Sequence, residues 1–248
     1  MLGGLAMRLT SAELDAWAGE LYSRLGEKLS WTRVSRDAEF KSVTVSMQRT
    51  RNQVDAQMLI NICHTRKLDP LRELGRIPRW SFLGEATSRP TQVEILASVH
   101  PAYALQELTD RLLVRTPKPP GFASWDDYPA RFSTWIDVAG TNSTRETLRE
   151  TLGLTASSMS KRLNGRERFR VDEVIDGFSA AQMDPVYALV LAGAITPQDA
   201  GYGANLRKDA LLAVSDDDLL ALTTKQQRYV RRILKDQHLA GEYLGKLQ

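Results

Sequence analysis

The most informative segment of the chain reads TRETLRETLGLTASSMSKRLNG and runs from Thr144 to Gly165. Glycine adopts positive φ at no steric cost, so Gly153 permits a tight turn in the middle of the segment. The apolar residues on either side keep helical spacing and share one inner face: Leu148, Leu152, Met159 and Leu163. The pattern therefore predicts two short helices that pack against each other across a turn.

Signals for helix ends support this interpretation at several points of the chain. Ser143 and Glu146 have the spacing of a capping box, and Asn164-Gly165 is typical of a helix end. Two Asp-Pro pairs, Asp69-Pro70 and Asp184-Pro185, place proline at the first position of a new helix. No convincing strand pattern is present, so the chain is predicted to be all-α.

The outer face of the second helix is polar and its surroundings are cationic. Ser157, Ser160 and Lys161 lie opposite the apolar face, and residues 159–170 hold five cations and one acid. Such a helix fits the major groove of DNA, where hydroxyls and lysine meet base edges. Asn164, Arg166, Arg168 and Arg170 could neutralise phosphates. The alternative is an ordinary helical hairpin with a solvated charged face.

These residues, followed by Val174-Ile175 and by MDPVYAL over 183–189, resemble the Cro and lambda-repressor type (XRE) of helix-turn-helix protein. The resemblance implies a five-helix domain whose third helix reads the major groove. It implies base contacts from Ala156, Ser157, Ser160 and Lys161, with Arg145 near the groove and Thr144 and Asn164 on phosphates.

A second copy of the pattern is indicated by self-comparison of the chain. KLDPL over 67–71 matches QMDPV over 182–186, 115 residues later, and the best register upstream of Val54 is 114. Chance similarity of amphipathic helices is the alternative to duplication. TPKPPG over 116–121 is typical of a stiff linker, so we predict tandem domains over 1–115 and 122–248.

The first half departs from the helix-turn-helix pattern. Glu39 replaces the turn glycine, Arg49 stands where Leu163 does, and Arg51-Asn52 replaces Asn-Gly. The apolar positions survive, and residues 41–54 contain no acid. Candidate DNA contacts in this half are Lys41, Ser42, Thr44, Gln48, Arg49 and Arg51. Trp31 either packs beside its helix or lies on sugar-phosphate.

Composition argues against most other chemistry. The chain of 248 residues has one cysteine and three histidines, too few for a disulfide framework or a thiolate metal cage. Adjacent helical side chains do not face each other, so Cys63 beside His64 is predicted to be a core residue rather than a nucleophile. Asp216 to Asp218 follow Ser215, where acids complement a helix start. We expect no enzyme, metal or cofactor.

The sequence also carries expectations about location and partners. Its apolar runs are shorter than the roughly 18 to 20 residues of a membrane helix, and no signal peptide is evident, so a cytoplasmic protein of a bacterial host cell is expected. The tandem halves resemble the immunity repressors of actinobacterial phages. They predict a repressor that reads an asymmetric duplex site as a monomer, with no small-molecule substrate.

Two questions stay open at the level of sequence. The first half could instead bind a protein partner, as an adaptor or antitoxin would, and low salt sensitivity would favour that alternative. The helices of residues 90–114 and 205–244 could either pack together or dimerise the chain.

Overall fold

The computed structural model describes residues 8–84, 90–112, 132–227 and 230–231. This part of the chain is helical, and its only extended pairing is an isolated bridge between Leu9 and Val54. The prediction of an all-α chain is therefore confirmed for the described residues. The segment 116–121, predicted to be a linker, lies outside them.

The helices of the first half are short and follow one another closely. They are α1 (Ser11–Arg24), α2 (Trp31–Asp37), α3 (Ser42–Thr50), α4 (Gln57–Arg66), α5 (Pro70–Leu74), a 3-10 turn (Pro78–Trp80), α6 (Ser81–Gly84), α7 (Gln92–Ala97) and α8 (Pro101–Leu112).

The second half has a comparable series. Its helices are α9 (Phe132–Ala139), α10 (Thr144–Thr151), α11 (Ala156–Leu163), α12 (Val171–Ala180), α13 (Pro185–Leu191), α14 (Leu206–Ala213) and α15 (216–227).

The helices form two compact units, and each unit combines two segments that are far apart in the sequence. Unit 1 combines Met1–Pro90 with Asn142–Tyr202, and unit 2 combines Thr91–Thr141 with Gly203–Gln248. The first predicted half therefore contributes one segment to each unit, whereas the second contributes one segment to unit 1 and two to unit 2. Unit 1 contains both α2–α3 and α10–α11, the two helix pairs singled out by the sequence.

Contacts within unit 1 join its first-half and second-half segments. The indole Nε1 of Trp80 donates to Asp176 Oδ1 at 2.7 Å, and His64 Nε2 lies 3.1 Å from Asp199 Oδ2. Burial raises the pKa of Asp176, while the hydrogen bond from Trp80 acts in the opposite direction. The Trp80 indole thus supplies a hydrogen bond to the half-buried Asp176 carboxyl, which offsets part of the cost of removing it from water.

The two Asp-Pro segments share one geometry. Asp69 accepts hydrogen bonds from the backbone N–H groups of Leu71 and Arg72, and Asp184 accepts them from Val186 and Tyr187. Each aspartate caps a helix whose first residue is proline, as predicted. Two residues earlier, Lys67 and Gln182 both have positive φ, at 55° and 57°.

One predicted cap does not form. The helix α10 begins at Thr144, as expected, but Ser143 makes no hydrogen bond from its side chain to the first turn. An N-cap residue needs an extended backbone to reach that turn, and Ser143 has φ −89° and ψ −12°. Glu146 binds Arg149 instead. The predicted capping box is therefore wrong.

Unit 2 is built from the end of the first half and from both ends of the second half. The helix α7 packs against α9 and α14, and α8 also contacts α14. Trp135 Nε1 donates to the Glu94 carbonyl at 3.0 Å, Arg111 donates to the Val214 carbonyl at 2.7 Å, and Gln226 Nε2 donates to the Val99 carbonyl at 3.1 Å. The segments that follow each helix pair therefore pack together within one chain.

The acidic run after Ser215 has the structural role that the sequence predicts. Ser215 Oγ accepts a hydrogen bond from the backbone N–H of Asp218 at 3.1 Å and so caps α15. Acids in the first turn complement the helix dipole.

Candidate nucleic-acid interface

The α10–α11 pair is held by the four apolar side chains that the sequence singled out. Leu148, Leu152, Met159 and Leu163 are all buried. Gly177 lets α12 approach closely, because a Cβ at that position would lie 3.1 Å from Leu148 and 3.3 Å from Leu152. The turn between the helices has Gly153 at φ 60°. The inner face of α11 is thus fixed, and its other face points to solvent.

That outer face carries the residues predicted to meet bases. Ala156, Ser157, Ser160 and Lys161 are all exposed. Lys161 Nζ lies 3.3 Å from Glu167 Oε1, and the Lys161 side chain is 52 % exposed. An ion pair this exposed contributes little to stability. The lysine can therefore exchange that carboxylate for another acceptor at low cost.

The cationic residues around α11 are of two kinds, those exposed to solvent and those that bind buried carboxylates. Arg145, Arg166 and Arg168 are exposed. Arg170, predicted from sequence to neutralise phosphate, binds Asp172 at 2.9 Å, and Arg162 binds Glu173. Since Asp172 and Glu173 are buried, these two arginines anchor the start of α12, and the phosphate role predicted for Arg170 is corrected.

Two further residues of the predicted set have mainly structural contacts. Thr144 is only 2 % exposed, so its side chain is in the interior rather than at a phosphate. Asn164 Nδ2 donates to the Ser160 carbonyl at 2.7 Å, which satisfies a carbonyl at the end of α11. The prediction for Thr144 is therefore corrected, and Asn164 acts as a C-cap.

The α2–α3 pair has the same arrangement. Val34, Ala38 and Val45 are buried, and Glu39 adopts the positive φ, 60°, that Gly153 has in the other pair. Before its last residue, Thr50, the exposed positions of α3 are Ser42, Val43, Ser46 and Met47. In the 114-residue register they match the four outward residues of α11, in the same order.

Sequence reasoning therefore missed three residues of this surface, Ser46 and two apolar residues. Val43 is 66 % exposed and Met47 is 47 % exposed, although both are apolar. The signal that could have found them is the 114-residue register, which places Val43 on Ser157 and Met47 on Lys161. Base contacts were expected from polar side chains, and these two are apolar.

Three residues of the first half that were predicted to contact DNA bind other residues of the chain or are partly buried. Arg49 donates to Asp15 through Nε and Nη2 at 3.1 and 3.0 Å, and its guanidinium lies 3.5 Å from the ring centroid of Trp31. Gln48 Oε1 accepts from the Asp55 backbone at 3.0 Å, and Thr44 is half-buried. Arg49 and Gln48 therefore stabilise the fold, whereas Lys41, Ser42 and Arg51 are exposed.

Trp31 and Cys63 have structural environments. Trp31 packs under Arg49, which favours the packing interpretation over a sugar-phosphate contact. Cys63 is fully buried, and burial raises the pKa of its thiol to about 12. Cys63 is therefore a core residue, as predicted.

The described residues do not group into a metal site or a membrane-spanning helix. Among the described residues, no group of three or more His, Cys, Asp or Glu side chains is placed to hold a metal ion. Within that part of the chain no helix is both long and apolar enough to cross a bilayer.

No family model, curated protein or solved structure matches this chain.

Proposed function

We propose that the protein binds duplex DNA at a specific site and represses transcription by occupying it, with α2–α3 and α10–α11 acting as two lambda-repressor-like helix-turn-helix units. The observation that carries the proposal is the outward face of α11. It combines two hydroxyls and one lysine on a helix whose inner face is fully packed.

The charge around this face supports a nucleic-acid partner. Arg166 and Arg168 follow α11 and are exposed, and Arg145 is exposed at the start of α10. Guanidinium groups at these positions suit phosphates, which fix the register of a protein on the duplex without reading sequence. Ser157, Ser160 and Lys161 would then read base edges in the major groove.

The differences between α3 and α11 support an asymmetric site. Palindromic sites mirror a two-fold axis of the bound protein, whereas here one chain presents two unlike faces. Both helix pairs belong to unit 1, so a single chain could carry both readers to one duplex. We therefore propose one chain per site. A role as a phage or prophage immunity repressor fits this arrangement.

Random-site selection on duplex DNA tests the proposal, followed by titration of the selected duplex at two salt concentrations. We expect one enriched asymmetric sequence and an affinity that falls with salt, by about 0.9 in log affinity per log salt for each phosphate neutralised. Failure to enrich any sequence, together with affinity that is insensitive to salt, would contradict it.

A second candidate is a protein-binding role for the first half. It is favoured by the apolar exposure of Val43 and Met47 and by the engagement of Arg49 with Asp15. An adaptor or antitoxin-like factor would use such a face on a protein partner. DNA binding that persists unchanged when Val43 and Met47 are replaced would favour this candidate.

A further inference from the structure

We propose that α3 recognises thymine through its C5 methyl groups, so that one part of the DNA site is specified by apolar contact and the other by hydrogen bonds. This inference rests on the proposed function and adds the base chemistry that each helix reads.

The shape of the α3 face carries the argument. Val43 and Met47 are four residues apart and therefore lie on one face of the helix, beside Ser42 and Ser46. Valine is stiff about χ1 and presents two methyl groups in a fixed direction, whereas methionine adapts to its surroundings. The result is a small apolar surface with short hydroxyls next to it.

The charged residues at the edge of this surface indicate what it binds. Lys41 and Arg51 are exposed at the two ends of α3, and residues 41–54 contain no acid. A protein partner could use the apolar centre, but exposed cations at both ends of the helix complement the phosphates on both sides of a groove. Among the base edges in the major groove, thymine alone offers a methyl group.

The corresponding positions of α11 carry different chemistry. Ser157 stands at the position of Val43, and Lys161 stands at that of Met47. A lysine in the major groove donates to guanine O6 and N7, and a serine hydroxyl can donate or accept. Ala156 is the one apolar side chain among the four outward residues of α11, so the half of the site that faces α11 should depend less on thymine methyl groups than the half that faces α3.

Replacement of thymine by deoxyuridine tests this division, because it removes the C5 methyl and keeps the Watson-Crick pairing. The full chain is titrated against the selected duplex, with one thymine replaced at a time. We expect about a fourfold loss of affinity at one or two positions, the equivalent of roughly 0.8 kcal/mol for one buried methyl. These positions should lie at one end of the site.

Variants of the protein assign the effect to α3. In Val43→Ala or Met47→Ala, the loss caused by deoxyuridine should shrink at the position that the removed side chain contacts. Val93→Ala is a matched control, because Val93 is a 52 % exposed valine on α7, in unit 2. That control should keep the full loss. Both α3 residues are largely exposed, so thermal melting should show that the variants fold.

The possible results distinguish failure of thymine recognition by α3 from failure of DNA binding itself. Sequence-specific, salt-dependent binding with no deoxyuridine effect at any position overturns the inference and leaves the proposed function standing. A deoxyuridine effect that is unchanged in both α3 variants also overturns it. Absence of any sequence-specific DNA binding overturns the proposed function itself.

Discussion

Lys161 and Arg166 are five residues apart, and the proposed DNA binding would give them different roles. Lys161 lies on the outward face of α11, whereas Arg166 lies beyond its end. Lys161→Ala should relax sequence preference, because a base contact is lost. Arg166→Ala should weaken binding to all sequences by a similar factor, because a phosphate contact is lost.

Titrations on the selected duplex and on a scrambled duplex measure both effects. Arg166→Ala should also reduce the slope of log affinity against log salt by about 1. An equal loss of preference in the two variants would contradict the separate roles.

Cys63 provides a residue-scale test of the core. Because burial raises the pKa of its thiol to about 12, the native protein should keep the thiol protonated and unreactive toward iodoacetamide at pH 8. Unfolding in denaturant should restore labelling. Mass spectrometry of the labelled chain checks this, and native labelling at the unfolded rate would show that the site is open.

The same group has a pH signature. The folded pKa lies above the unfolded value of about 8.5, so the thiol's contribution to stability is complete below that pH and is lost as pH rises toward about 12. We therefore expect the free energy of unfolding of the wild type to fall relative to that of Cys63→Ala. The decrease should be about 1.4 kcal/mol for each pH unit above 9.

At the scale of elements, the turns at Glu39 and Gly153 share one backbone conformation but differ in residue type. A side chain at positive φ costs about 1 to 2 kcal/mol, and a glycine costs about 0.5 to 1 kcal/mol in entropy. Glu39→Gly should therefore raise the free energy of unfolding by about 0.5 to 1 kcal/mol, and Gly153→Ala should lower it by about 1 kcal/mol. Urea denaturation measures both.

Gly19→Ala is the control for these two variants. Gly19 lies within α1, and a Cβ added there meets no atom within 4 Å. Alanine in a helix interior is favoured over glycine, so this change should stabilise the protein by up to about 1 kcal/mol. If Gly153→Ala also stabilises it, the turn does not require glycine.

Helix positions and inner faces followed from the sequence because they depend on local spacing. The four buried residues of α10–α11, the Asp-Pro starts and the end at Asn164-Gly165 were all predicted and are confirmed. The engagement of Arg49 was not predictable, because its partner Asp15 lies in another helix, α1. Ser143 failed as a cap for a similar reason, since its backbone conformation is not specified by residue type.

At the scale of the whole molecule, amphipathic stripes indicate that a helix is buried but not which helix covers it. The sequence therefore could not predict that units 1 and 2 each combine segments that are far apart in the chain. It has a testable consequence. A chain cut between Pro117 and Gly121 should keep its two fragments together, because both units need segments from each side of the cut.

An inserted protease site at that position, followed by size-exclusion chromatography, checks the association. We expect the fragments to elute together and to bind the selected duplex with an affinity close to that of the intact chain. The mass of the DNA complex should correspond to one chain. Fragments that separate without denaturant would indicate two independent sequential domains. A DNA complex that contains two chains on a palindromic site would contradict binding of one chain per site.

The shared construction of unit 2 also bears on how the protein is made. Its first segment begins at Thr91, but its last segment begins at Gly203. At translation rates of about 5 to 20 residues per second, a ribosome needs roughly 5 to 20 s to span that distance. During this interval, the faces of α7 and α8 that later meet α14 have no native partner. The nascent chain should therefore be a client for holding chaperones until its second half emerges.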